Sequence, residues 1–296
     1  MATGSGAVLS TGPTAAIFGA TLTRAKPMTN ETSPEKKLTL EELNSFLELS
    51  LACAEQACTN GLRFDFYEPR HRYAVLLLRV VLDHAHDVVA LNKAARFGAV
   101  ALITRSALDA YADIANLGDH ANYWEHLVAA DASSWKPLLE RASQGKNPVL
   151  KALSEDDTLP VGRHHYAQEL KALQAKGVEK LDIGERFRRA GLTHEYEATY
   201  AILSAEAHNN VSGLQSRYID WDENSAWIID VGEESRHRHH YGTACTLTMS
   251  EIVIQSMEKV LRLLGHGIAV MAPARLQLEQ MWKRAQAEDT MISRAD

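Results

Sequence analysis

After residue 38 the apolar residues recur mostly at three- and four-residue spacing, the period of helices that pack on a core. Thr39-Leu40-Glu41-Glu42 is a capping box, with the cap hydroxyl and a glutamate three residues on; it predicts a helix to about Cys58. Gly61 to Glu68 reads as a connector, and Pro69 suits the first turn of a second helix reaching about Ala95. Gly98 breaks it, and a third helix is predicted from Ala99 to Asn116, followed by a break at Gly118-Asp119. A fourth helix holds Tyr123, Trp124, Leu127 and Trp135, with an expected break near Asp131. Gly145, Pro148 and Pro160 punctuate a looser stretch from Gln144 to Gly162. Shorter helices are expected at Arg163–Ala175 and Ile183–Arg189, and Gly191 ends the latter. Thr193 then caps one long helix running to about Arg217.

The pattern changes at Tyr218. Aromatic and β-branched residues flank the polar run Asp222-Glu223-Asn224-Ser225, so residues 218–230 read as a β-hairpin. An isolated hairpin is marginal on its own and should pack on the helices. Long helices follow at Ser235–Met271 and from Pro273 to about Ile292. The fold class expected is therefore predominantly all-α, a single bundle-like helical domain over residues 39–296 with one β-hairpin. The strand–helix alternation of a doubly wound sheet is absent. Residues 1–38 open rich in Ala, Gly, Ser and Thr, and read as a disordered tail or a misassigned start, with Met28 a second candidate start.

Composition narrows the class only modestly. The chain has 296 residues, 46% of them hydrophobic, enough to bury a sizeable core. A net charge of about -7 argues against a protein that coats a long nucleic-acid duplex, although a local basic patch is still allowed. Three cysteines with no CxxC spacing make a disulfide framework or structural zinc knot an unfavoured reading and fit a reducing cytoplasm. No apolar run approaches the roughly 20 residues of a membrane helix.

The candidate chemistry lies on two helices. In the third, Arg105 and Asp109 sit four apart within the apolar set Val100, Ala101, Leu102, Ile103, Leu108, Tyr111 and Ile114. Charges on a core-facing stripe require partners. They read either as a structural ion pair or as an anchored guanidinium facing an anion. On the long helix, Tyr196, Tyr200, Ser204 and His208 recur at every fourth position and share a face. From Tyr200 to His208 that stripe rises about 12 Å and rotates about 80°. All three side chains cannot reach one small atom, but Ser204 and His208 can act together, His208 as general acid or base. Tyr196 is better cast as a packing residue. The competing reading is a buried polar network that fixes helix packing.

These residues resemble a bacterial all-helical family catalogued as a domain of unknown function (number five-six-seven-seven). Its pattern of Arg-x-x-x-acid on one apolar helix, then Tyr-x-x-x-Ser-x-x-x-His on a later one, corresponds to Arg105, Asp109, Tyr200, Ser204 and His208. The family's acid is usually Glu; Asp109 is shorter. The resemblance covers roughly Ala74 to Leu264, implies a helical core with no assigned activity, and suggests that the Arg/acid and Ser/His pairs meet in space.

Other clusters weigh less. Glu233, His237 and His240 have metal-like spacing, but a solvated basic helix start accounts for them, and no metal is expected. His164-His165 reads as surface. The helical ribonucleases of the HEPN type use Arg-x4-6-His, a count that Arg79/His84 and Arg189/His194 meet; the first pair lies mid-helix and the second crosses Gly191. No cofactor is expected, because no phosphate-cradling glycine loop, HExxH, GxSxG or EF-hand pattern occurs. The favoured expectation is a cytoplasmic protein with a buried polar site for a small anionic ligand or a protein partner. The alternatives are a ribonuclease or phosphodiesterase using His208 and Arg105, and a metal-dependent hydrolase. RNA is the weaker candidate partner. Ile252, Val253, Met257, Leu261, Leu264, Leu276 and Met281 suit a core or a homo-oligomer face equally.

Overall fold

The computed structural model describes residues 38–155, 158–207, 211–221, 226–228 and 236–293. The expected N-terminal tail lies outside them but for residue 38. Helix α1 (Leu40–Thr59) starts where the capping box predicts. The Thr39 hydroxyl accepts from the Glu42 amide at 3.1 Å, and the Glu42 carboxylate accepts from the Thr39 amide at 2.9 Å. Leu43, Phe46, Leu47, Leu51 and Ala54 make its buried face. Helix α2 (Pro69–Lys93) begins on its proline, as expected, with Glu68 as cap.

Helix α3 (Phe97–Asp119) positions the site. It packs most extensively against α2 and against helix α9 (Arg236–Leu263), while α9 also packs on α1 and α2. Its burial therefore extends round most of its circumference, and small residues (Ala101, Ala107, Ala112, Ala115) allow close approach. Gly242 on α9 serves the same end: a Cβ there would stand 2.6 Å from the Phe97 ring. Asn92 ties the layers together, its amide donating to Asn44 Oδ1 and Thr246 Oγ1, both at 2.8 Å. Each fully buried Leu, Phe or Met in this core contributes roughly 1.5–3 kcal/mol relative to exposure.

Helix α4 (Tyr123–Ser143) runs without the break expected near Asp131, and accommodates Pro137 internally. It packs against α5 (Leu159–Ala175), where Leu139, Ala142 and Leu159 form a small separate apolar cluster. A 3-10 turn at Pro148–Leu150 and one turn at Lys151–Ser154 occupy the looser stretch. Helix α6 (Ile183–Arg189) has the predicted bounds. Asp182 caps it by accepting from the Glu185 amide at 2.8 Å, and Gly191, at φ 73, takes the left-handed conformation that ends it.

The expected long helix from Thr193 is not one regular α-helix. A single turn, Thr193–Glu195, leads into a π-turn at Tyr196–Tyr200, and α-helical winding resumes as α7 (Ala201–Ala207). Three large rings account for the widened turn. Tyr196 stacks on Tyr200 at 5.4 Å, and both lie against the buried Phe187 of α6, at 5.5 and 5.1 Å. Tyr196 is thus a packing residue. Helix α8 (Val211–Tyr218) follows, then β1 (Ile219–Trp221) and β2 (Ala226–Ile228), antiparallel with Ile219 opposite Ile228. The polar run 222–225 lies outside the described residues. Helix α10 (Ala272–Ser293) closes the chain's described part, held by Arg275, which donates to the buried Glu258 of α9 at 2.6 Å. Ile252, Val253, Met257, Leu261 and Met281 belong to the core, whereas Leu276 is exposed. The described structure is all-α in character, and no helix in it is long and apolar enough to cross a membrane.

Candidate functional site

One face of α3 carries Arg105, Asp109 and Asp113, each a turn beyond the last. The upper part of this face meets the π-turn and α7. Arg105 reaches across to Tyr200, its Nη2 donating to the phenol oxygen at 2.9 Å while the guanidinium carbon stands 5.0 Å from the ring centroid. Charge, hydrogen bond and ring face act on the same pair. Of the two readings of Arg105 and Asp109, the structural ion pair does not form among the described residues, where Arg105 bonds Tyr200 instead. The short Asp109 side chain lies one turn away, and the Tyr200 ring and hydroxyl draw the guanidinium toward α7.

This contact is short of partners. Arg105 Nε, Asp109 Oδ1, Thr199 Oγ1 and Ser204 Oγ are all buried and lack a hydrogen-bond partner among the described residues. They account for four of the nine such atoms, all on α3, the π-turn or α7, which meet around Arg105 and Tyr200. Buried polar groups in folded proteins are nearly always paired, and an exception calls for a reason. Burial pushes the Asp109 carboxyl above its ordinary value, the neighbouring Arg186 and Arg105 charges draw it back, and Asp113 adds to the rise. Ser204 stands one turn beyond Tyr200 on α7. His208, the proposed proton carrier, lies outside the described residues, as does Glu233, and the side chains of His237 and His240 are not described either. Among the described residues no cluster of His, Cys, Asp or Glu has the makings of a metal site.

The lower part of the α3 face is satisfied. Asp113 is clamped by Arg186 of α6, Nε to Oδ1 at 2.9 Å and Nη2 to Oδ2 at 2.5 Å, a bidentate pair. Tyr123 of α4 donates to the same Oδ1 at 2.6 Å, and Arg186 Nη2 also donates to the Asp109 carbonyl at 3.2 Å. Burial works against the Arg186 charge, but Asp113, Tyr123 and Asp109 outweigh it, and the guanidinium is held above its ordinary value. Burial first, then the Asp113 charge, raises the Tyr123 phenol. Asn116 donates to the Ala112 and Arg186 carbonyls at 2.9 and 2.8 Å, leaving only its Oδ1 unpartnered. Sequence reasoning missed Asp113, Arg186 and Tyr123. The fourfold spacing from Arg105 through Asp109 to Asp113 was the one signal for the first.

The two Arg/His spacings do not assemble alike. Arg79 pairs with Asp83 on the surface, and His84 bonds Ser106 of α3 at 2.9 Å. Arg189 bonds Glu185 and His126, while His194 is exposed. His165 is likewise exposed.

The class defined so far is an all-helical protein whose central helix carries an Arg/acid face against a Tyr–Ser segment. The family model described as "Family of unknown function (DUF5677)" matches residues 71–226, more than half of the chain. The protein belongs to that family. The match contains Arg105, Asp109, Tyr200, Ser204 and His208, and it ends in β2, short of the long helix α9. No curated protein and no solved structure matched the chain.

Proposed function

We propose that the seam between α3 and the Tyr196–Ala207 segment binds a small anionic ligand. The supporting observation is the group of buried, unpartnered polar atoms on Arg105, Asp109, Thr199 and Ser204. A network whose purpose is to fix helix packing would pair its members, since a half-satisfied network costs more than an apolar one. The fully bonded Asp113–Arg186–Tyr123 cluster, two turns along the same helix, is what such a network looks like. In the seam, Arg105 keeps the charge and the Nε–H for an anionic or carbonyl oxygen. Ser204 and Thr199 offer hydroxyls that donate or accept. Asp109, whose burial favours its protonated form, offers a further position for a polar group.

Thermal denaturation in the presence of small carboxylates, inorganic phosphate and nucleoside monophosphates tests this reading. A ligand at a hundred times its Kd stabilises by about 2.7 kcal/mol, which moves the melting temperature by several degrees. At least one anion is expected to do so with the wild type and to lose the effect with Arg105→Gln. Equal shifts in both proteins, or none with any anion, would overturn the reading.

A further inference from the structure

A second polar concavity lies on the opposite side of Tyr123 from the bundle interior, where the start of α4, the segment after α5 and the end of α6 converge. It encloses ≈ 840 Å³, within the roughly 300–1,000 Å³ typical of small-molecule sites. Its cationic lining consists of Lys176, Arg188 and Arg189, with His120 and His126 beside them.

The charges there do not cancel. Lys176 is matched by Glu125 at 2.6 Å. Arg188 and Arg189, however, share one carboxylate. Arg188 donates to Glu185 through Nε and Nη2, both at 2.6 Å, and Arg189 through Nε at 2.7 Å. These two guanidiniums hold the Glu185 carboxyl down to about 2. One positive charge is left over.

The cationic heads are also fixed in place. His126 Nδ1 lies 2.7 Å from the Glu179 carbonyl oxygen, which can only accept, so Nδ1 carries the proton. Its Nε2 therefore accepts from Arg189 Nη1 at 3.1 Å. By the same reasoning His120 donates through Nε2 to the Arg189 carbonyl at 3.3 Å. Arg189 is thus held at its backbone and at both sides of its guanidinium. Arg188 Nη1 and Arg189 Nη2 have no partner among the described residues. Pre-oriented guanidinium edges suit a tetrahedral oxyanion better than a diffuse field of mobile lysines does.

From this geometry we infer that the cavity between α4 and α6 is a binding site for the phosphate group of a small phosphorylated ligand, seated on Arg188 and Arg189 with Lys176 at its edge. The site is separate from the Arg105 seam. Tyr123 lines the cavity and donates inward to Asp113 of the bonded cluster, not to the seam.

Titration calorimetry at low salt, with inorganic phosphate, adenosine monophosphate and a short single-stranded RNA as probes, tests the inference. The wild type is expected to bind phosphate or the nucleotide, more weakly as salt rises. The double variant Arg188→Gln/Arg189→Gln is expected to lose at least tenfold in affinity. The single variant Arg188→Gln alters only an exposed side chain and should lose part of it, so the result stands even if the double variant folds poorly. Arg79→Gln, a remote surface control, should bind as the wild type does. No binding of either small probe would overturn the inference. So would undiminished binding by the Arg188 and Arg189 variants, loss with Arg105→Gln alone, or binding confined to RNA.

Discussion

Two turns of one helix separate two polar clusters that obey opposite rules. At Asp113 every strong group has a partner: Arg186 grips both carboxylate oxygens and Tyr123 adds a third bond. At Arg105 the guanidinium has one hydrogen bond and one ring, and four neighbouring polar atoms have none among the described residues. Both clusters are built from the same helix face, by the same fourfold spacing. The difference teaches that buried polarity alone does not identify a site. Completeness of bonding separates the cluster that holds helices together from the one we propose as a ligand site.

The sharpest break of this comparison is at Arg186. Replacing it with Ala leaves the Asp113 carboxylate buried and uncompensated, a change that costs about 3–5 kcal/mol when one partner of a buried pair is removed. Chemical denaturation should show a loss of that size, with α6 released from α3. A loss below about 1 kcal/mol would mean that Tyr123 and water satisfy Asp113 alone, and the distinction between the clusters would collapse.

How much of this was legible beforehand follows the same division. Local signals placed elements well. Gly191 ends Ile183–Arg189, and Thr39 with Glu42 opens α1, because caps act within a few residues. The spacing rule found Arg105, Asp109, Tyr200 and Ser204, and the structure brings Arg105 of α3 against Tyr200 of the π-turn. The spacing left open which partner Arg105 takes, because the choice depends on the Phe187–Tyr196–Tyr200 ring cluster contributed by α6 and the π-turn. That same cluster turned a predicted regular helix into a π-turn. The Asp113–Arg186 clamp joins residues 73 apart, a distance over which no periodicity speaks. The basic cavity was hidden similarly, its lining drawn from three separate stretches whose charges average out along the chain.

A smaller effect, opposite in sign, is expected at Asp109. Burial raises its carboxyl above the ordinary aspartate value, so the folded state prefers the protonated acid. That preference favours folding fully at pH below the unfolded value and is lost as pH rises through the raised folded value. At neutral pH the wild type therefore carries the cost of a buried charge that Asp109→Asn does not. The variant should melt higher than the wild type near pH 7, and the gap should close as pH falls below the usual aspartate range. If Asn instead destabilises at neutral pH, Arg186 and Arg105 compensate the carboxylate more than burial penalises it. The upper cluster would then be a second structural clamp.

The finest test is Thr199, because it changes one neutral atom. Its side chain is fully buried and its hydroxyl has no partner among the described residues. An unmet buried hydroxyl costs about 1–3 kcal/mol, less than an unmet charge, and a methyl of the same shape removes that cost. Thr199→Val should accordingly gain about 1 kcal/mol in the ligand-free protein, read as a higher denaturation midpoint with unchanged slope. The same variant should bind the anion that stabilises the wild type less tightly, since the hydroxyl is then missing where it is needed. Gain of stability together with loss of binding is the signature of a polar atom retained for a ligand. A loss of stability would show that the hydroxyl is bonded in solution, and the upper cluster would be as complete as the lower one.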